Sequence, residues 1–244
     1  MTEDDTADDA IMTKTTLITG ANKGLGRETA RRLLAEGYDV WVAARDPSLG
    51  QVAAEELGAR FVQLDVTDED SVAAAAAVVA AATGGRLDVL INNAGIAGGR
   101  KPVGQVTADE VRRVFETNVF GVVRVTRAFL PLLERSDSPV IINVSSGMGS
   151  IAVTTDPERF ESTLIGIPYP ASKTALNMIT TQYAKAFPHI RINAVDPGYT
   201  ATDLNGHSGT QSVEEGTDAI VAMAKLDRSG PTGTFVDRNG AVAW

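Results

Sequence analysis

The chain has 244 residues, 22 Lys+Arg against 31 Asp+Glu for a formal net charge of −9, and no cysteine. That length holds one α/β domain with a well-buried core and leaves little room for a second catalytic domain. The missing cysteine excludes a disulfide framework, a thiolate nucleophile and a Cys-based metal site, and the acidic balance argues against nucleic acid as a partner, because phosphate binding needs a basic face.

Glu3, Asp4, Asp5, Asp8 and Asp9 supply more than half of the net charge. Residues 1–12 therefore read as a disordered, solvated acidic tail, with the folded domain expected over 13–244. The start is acidic where a secretory signal is basic, and the longest apolar run, residues 72–82, is shorter than the ~20 residues that cross a bilayer. A cytoplasmic location without a membrane partner is the expectation.

Residues 15–19 read as a short apolar strand and residues 24–36 as a helix ended by Gly37. A second strand follows at 39–43 and a third at 60–64, then an alanine-rich helix suited to close packing on a sheet. The fourth strand is 89–91. Residues 107–133 read as one long helix capped at Thr107 or Asp109. Strand 140–144, helix 169–187, strand 191–195 and a short strand 234–236 complete the order. The strands are continuous apolar runs without alternation, the mark of parallel strands buried on both faces. The fold class is therefore α/β: a single-domain Rossmann-type doubly wound parallel sheet of about seven strands, with helices on both faces and ligands at the strand carboxyl ends. Two irregular stretches, 151–167 and 202–212, are long enough to be functional loops.

Between the first strand and helix lies Gly20-Ala21-Asn22-Lys23-Gly24-Leu25-Gly26. A pyrophosphate needs backbone N–H groups aimed at it and a helix N-terminus behind it. Gly20 makes the turn, Gly24 lets the backbone approach, and Gly26 lets the helix pack on the strand. The second strand ends Ala43-Ala44-Arg45, with no acid for a ribose 2′-hydroxyl. Arg45 and Lys23 instead suit a 2′-phosphate, which selects NADP(H). Asp65 ends the third strand, where it can accept from an adenine amino group or cap the following helix. Asn92-Asn93-Ala94-Gly95 ends the fourth, where small residues admit a ribose.

Tyr169 and Lys173 are four apart and share a helix face. An ammonium there favours phenolate and would draw the tyrosine pKa toward working pH, making Tyr169 a proton donor to a carbonyl oxygen that receives hydride. Ser145 and Ser146 end the fifth strand, where either hydroxyl can hold that oxygen or simply form a turn. Asn118 sits inside a helix, a poor place for Asn unless it has a hydrogen-bonding task. His189 and His207 have no metal-ligand spacing, and no metal site is expected.

TGANKGLG, Leu64-Asp65-Val66, NNAG, Asn118-Val119-Phe120-Gly121, Asn143-Val144-Ser145-Ser146, YPASK and Asp196-Pro197-Gly198 stand in an order that resembles the short-chain dehydrogenase/reductase family from Thr15 onward. The resemblance implies a tetrad of Asn118, Ser146, Tyr169 and Lys173. In it Tyr169 exchanges the proton and Ser146 polarises the carbonyl. Lys173 binds the nicotinamide ribose and lowers the tyrosine pKa, and Asn118 holds a relay water. It further implies cofactor contacts from Asn22, Leu25, Val66, Asn93, Ala94, Gly95, Pro197, Gly198, Thr200 and Thr202. Asn22-Lys23-Gly24, Ala43-Ala44-Arg45-Asp46 and the segment 237–244 are similar to the carbonyl-reductase-like branch.

Tyr169 follows Ser146 by 23 residues, a longer interval than in most of the family. Loops 147–168 and 199–212 would border the substrate, with Gly147, Met148, Ile151, Leu164, Ile165 and Ile167 as an apolar wall. The insertion leaves assembly open between a homo-oligomer (dimer or tetramer) and a monomer. The reading is NADPH-dependent reduction of an aldehyde or ketone. The alternative from another class is a non-catalytic NADP(H)-binding regulator or sensor, which has no reason to keep Ser146, Tyr169 and Lys173 together.

Overall fold

A computed structural model describes residues 13–99 and 101–244, so the expected acidic tail lies outside the described residues. The apolar runs become β1 (Thr15–Thr19), β2 (Asp39–Ala44), β3 (Arg60–Gln63), β4 (Val89–Asn92), β5 (Val140–Val144), β6 (Arg191–Val195) and β7 (Phe235–Asp237). These seven are parallel, and β8 (Gly240–Ala241) returns antiparallel on β7, in the order β3-β2-β1-β4-β5-β6-β7-β8. The sheet thus has one strand more than expected, a two-residue edge strand. The order reverses between β1 and β4, opening the crevice where doubly wound sheets bind ligands.

The helices are α1 (Gly24–Ala35), α2 (Pro47–Leu57), α3 (Glu69–Ala82), α4 (Ala108–Phe115), α5 (Gly121–Leu133), α6 (Ile151–Thr155), α7 (Pro168–Ala186), α8 (Val213–Gly216) and α9 (Asp218–Ala224). Alternate residues of β1 feed two cores. Leu17 packs with Val79 of α3, Phe129 of α5 and Ala184 of α7, while Ile18 packs with Leu33 of α1, Ala54 of α2 and Ile220 of α9. Each such Leu, Ile or Phe contributes ~1.5–3 kcal/mol by leaving water, and this two-sided burial holds the strand ends in register. The alanine run of α3 buries Ala75, Ala76 and Val79, the close packing that small side chains permit.

The long helix foreseen over 107–133 is interrupted. Thr107 caps it through a reciprocal capping box with Glu110, but residues Glu116–Phe120 form a π-helical turn between α4 and α5. Asn118 lies in that turn, a placement often associated with functional sites. The stretch 151–167 is also more ordered than expected, containing α6 and a 3-10 turn at Phe160–Thr163.

Candidate active site

The carboxyl ends of β1, β4, β5 and β6 meet around one cleft. At the end of β1, Gly20 adopts φ +64°, and a Cβ there would lie 3.0 Å from the Ala94 Cα. Gly26 is tighter: its Cβ would meet Asn93 Nδ2 at 2.5 Å and Gly20 O at 2.8 Å. Asn93 explains this closeness, since Nδ2 donates to Thr19 O (2.8 Å) and Gly20 O (3.2 Å). The Thr19 hydroxyl accepts from the N–H groups of Asn93 and Ala94, both at 3.0 Å. The Nδ2 of Asn93 thus fastens the glycine turn to β4. The first turn of α1 carries no acidic residue, and its N-cap, Lys23, makes no side-chain cap. The N–H groups opening α1 therefore have no side-chain acceptor, as an anion site requires.

The two cations assigned to the 2′-phosphate stand differently. Arg45 is exposed and makes no ion pair among the described residues. Asp46, beside it, is occupied as the N-cap of α2, accepting from Leu49 N at 3.0 Å. Lys23 reaches the other way, to Asp203 Oδ2 at 2.8 Å. His207 Nε2 holds the second oxygen of that carboxylate at 2.8 Å, which spends His207 on the loop rather than on the cleft. Asp65 Oδ1 accepts from Thr67 N (2.9 Å) and Thr67 Oγ1 (2.8 Å), whereas Asp68 caps α3, so the capping reading of Asp65 does not hold. Val66 packs beneath the π turn, its Cγ2 2.9 Å from where a Gly121 Cβ would stand.

At the reacting end, Ser145 and Ser146 separate cleanly. Ser145 is buried and donates to Asn177 Oδ1 at 2.5 Å, a structural bond between β5 and α7. Ser146 and Tyr169 both line the cleft, and the Ser146 hydroxyl lies close enough to the phenol to ease its ionisation. Lys173 is 4% exposed, its Nζ 5.6 Å from the Tyr169 ring centroid. Its one hydrogen-bond acceptor among the described residues is Val144 O at 2.7 Å, which leaves further donor capacity on the ammonium. A Cβ on Gly95 would sit 3.4 Å from Asn118 Oδ1 and 3.7 Å from Lys173 Nζ, so the NNAG turn, Asn118 and Lys173 converge. Both polar atoms of the Asn118 side chain are hydrogen-bonded. Its Oδ1 accepts from Ile96 N at 2.9 Å, and Nδ2 donates to Ile96 O (2.9 Å) and Ser172 Oγ (3.0 Å).

Electrostatics correct one expectation. Burial holds the Lys173 pKa down at about 8, and burial also pushes the Tyr169 phenol up to about 12. The Ser146 hydroxyl opposes that rise and the charge of Asp196 adds to it, while Lys173 does not offset it. Desolvation outweighs the neighbouring ammonium. The phenol is held as an acid, not poised near neutrality.

The cleft encloses about 570 Å³ and joins Ser146 and Tyr169 to Leu25 and Thr202 above the glycine turn. Thr200 is buried, its hydroxyl bonded to Pro197 O at 2.9 Å. Phe160 and Tyr199 meet at 5.3 Å between ring centroids, so the loops expected to border the substrate touch each other. Met148, Leu164, Ile165 and Ile167 line the cleft as expected, but Ile151 points outward from α6, 64% exposed. Gly98, Lys101 and Val106, from the segment between β4 and α4, complete the wall. Sequence reasoning missed that segment, whose single signal is Gly98 at φ +79°.

A family profile described as short chain dehydrogenase matches residues 14–212. This chain belongs to the short-chain dehydrogenase/reductase family. The (+)-neomenthol dehydrogenase of Capsicum annuum is 31% identical, across 95% of this chain and 98% of its own. Salutaridine reductase of Papaver bracteatum is 31% identical, across 91% and 93%. Among solved structures, the NADPH-bound carbonyl reductase from chicken fatty liver superposes with a TM-score of 0.84 at 30% identity, covering 95% of this chain and 99% of that one. The enzyme is thus an oxidoreductase of the carbonyl-reductase-like type. Among the described residues, no helix is long and apolar enough to cross a membrane.

Proposed function

We propose that the enzyme reduces an aldehyde or ketone to an alcohol with NADPH, with Tyr169 as the proton donor. The observation that carries this reading is the single cleft in which Ser146 and Tyr169 open onto the same space as the glycine turn. When bound, the cofactor supplies the hydride that reaches the carbonyl carbon. The residues present fit such a group: a glycine turn with Gly20 and Gly24 at positive φ, a helix N-terminus without a side-chain cap, an exposed Arg45 and a buried lysine with one acceptor among the described residues.

Tyr169 gives its phenolic proton to the carbonyl oxygen, and Ser146 donates a hydrogen bond to the same oxygen. Lys173, 5.6 Å from the Tyr169 ring centroid, would hold the nicotinamide ribose and support the phenolate left after proton transfer. Asn118 contributes as a brace, fixing Ile96 and Ser172 around Lys173. A phenol held near 12 is protonated throughout the neutral range, which suits reduction, whereas the reverse reaction needs phenolate. The cleft's mostly apolar wall suits hydrophobic carbonyl compounds. NADPH oxidation against a panel of aldehydes, ketones and quinones, with NADH in parallel, tests the reading. NADPH-selective turnover is expected; turnover with NADH alone would overturn the cofactor assignment, and none with either would overturn the activity.

A further inference from the structure

Asp196 directly follows β6 and is only 5% exposed. Its Oδ1 accepts from Gly198 N at 2.9 Å, and its Oδ2 lies against Gly147, whose N–H favours the charged form. Gly147 directly follows Ser146, and Gly198 closes the Pro197-Gly198 turn. One side chain therefore ties together the two strand ends that carry the serine and the turn assigned to the nicotinamide. The packing is direct: a Cβ on Gly147 would lie 2.9 Å from Asp196 Oδ2 and 3.0 Å from Glu161 Oε1.

The charges around Asp196 make this an expensive place for a carboxylate. Burial disfavours its ionised form, and the like charges of Glu161 and Asp237 add to that. Arg159 is the cation that feels Asp196, but its own hydrogen-bond partner is Glu161. Lys173 donates to Val144 O instead. The two backbone N–H groups compensate only in part, and a neutral residue would occupy the site at lower cost. The charge reaches Tyr169, where it opposes loss of the phenolic proton.

We propose that Asp196 is a positioning residue of this reductase: lodged between Gly147 and Gly198 in the wall of the cleft, it braces the Ser146 and Pro197-Gly198 strand ends against each other beside Tyr169. This rests on the reading of Tyr169 as proton donor.

The test compares Asp196→Asn and Asp196→Ala with the parent enzyme. Asn keeps an acceptor for Gly198 N without the charge, and Ala removes both. Three quantities are read: the tyrosinate absorbance step of the cofactor-free protein that Tyr169→Phe lacks, the alkaline limb of kcat for reduction, and NADPH affinity by fluorescence. The step and the limb are expected to move together to lower pH by ~0.5–1 unit in both variants. NADPH affinity should stay within about threefold, and kcat should fall further in Ala than in Asn. An unmoved step and limb in either variant that binds NADPH would overturn the proposal, as would loss of NADPH binding in both, which would make Asp196 purely structural. Retained turnover in Tyr169→Phe would instead sink the donor reading, while the absorbance step still reports whether Asp196 acts on Tyr169.

Discussion

Arg45 and Lys23 look equivalent along the chain, yet one is exposed without an ion pair among the described residues and the other is bound to Asp203. Their contributions to cofactor choice should differ accordingly. A bond between guanidinium and phosphate is worth ~1.5–3 kcal/mol, or roughly ten- to a hundredfold in affinity. Arg45→Ala is expected to raise KM for NADPH by at least about tenfold and to leave NADH nearly unaffected; equal losses with both cofactors, measured in steady state, would contradict the assignment. Lys23→Ala should act more weakly, since Lys23 must first leave Asp203. The individual residues legible in the sequence were those whose chemistry is local, Tyr169 and Lys173 on one helix face and the three glycines in one turn. The Lys23–Asp203 pair joins residues 180 apart, and no local pattern announces it. The resemblance favours Ser146 over Ser145, but the physical reason, the bond of Ser145 to Asn177, lies 32 residues away.

At the scale of elements, the β1–α1 turn is the most constrained piece of the site. A methyl at Gly26 would press on Gly20 O and on Asn93 Nδ2, itself bonded to the same turn. Neither can retreat without opening the cradle. Gly26→Ala should therefore cost ~1–3 kcal/mol of stability and weaken NADPH binding at least about tenfold. Thermal unfolding and fluorescence titration check this, and parent-like values in both would contradict the packing argument. Strand positions were readable because apolar runs buried on both faces have no competing pattern. Helix α2 was not, although Asp46, Pro47 and Gly58 punctuate it, because its buried face is Gly50, Ala53 and Ala54 while Leu49 and Val52 are exposed. Gly50 lies against the Phe61 ring, so the small residues face the core and the apolar period is inverted. The π turn was invisible apart from Asn118 itself, and β8, two residues long, is too short to carry a pattern.

For the whole molecule, the site stores a cost that pH can expose. Lys173 has a folded pKa of about 8 against an ordinary 10.5, so the folded state binds fewer protons than the unfolded state between those values. Stability contributed by this group therefore rises as pH climbs from about 8 toward 10.5, and below 8 the full penalty, of order 3 kcal/mol, is present. Tyr169 acts in the opposite sense above pH 10, where the folded state retains a proton that the unfolded chain has lost. The cofactor-free Lys173→Met variant is thus expected to melt above the parent at pH 7, by roughly 5–10 °C, with the gap narrowing as pH rises to 10. A gap that stays constant over that range would contradict the buried charge. Overall topology was legible because parallel strands and glycine turns speak locally; the cleft was only partly so, because its far wall at Gly98, Lys101 and Val106 is assembled by the fold.

The central claim is that Tyr169 gives the proton. Tyr169→Phe removes one oxygen from a ring whose packing it otherwise keeps. NADPH oxidation by this variant, on the best carbonyl substrate of the parent and with NADPH affinity measured on the same sample, tests it most directly. The account predicts turnover lowered by about 10³-fold or more with affinity within about twofold. Turnover close to that of the parent, with NADPH bound normally, would contradict it.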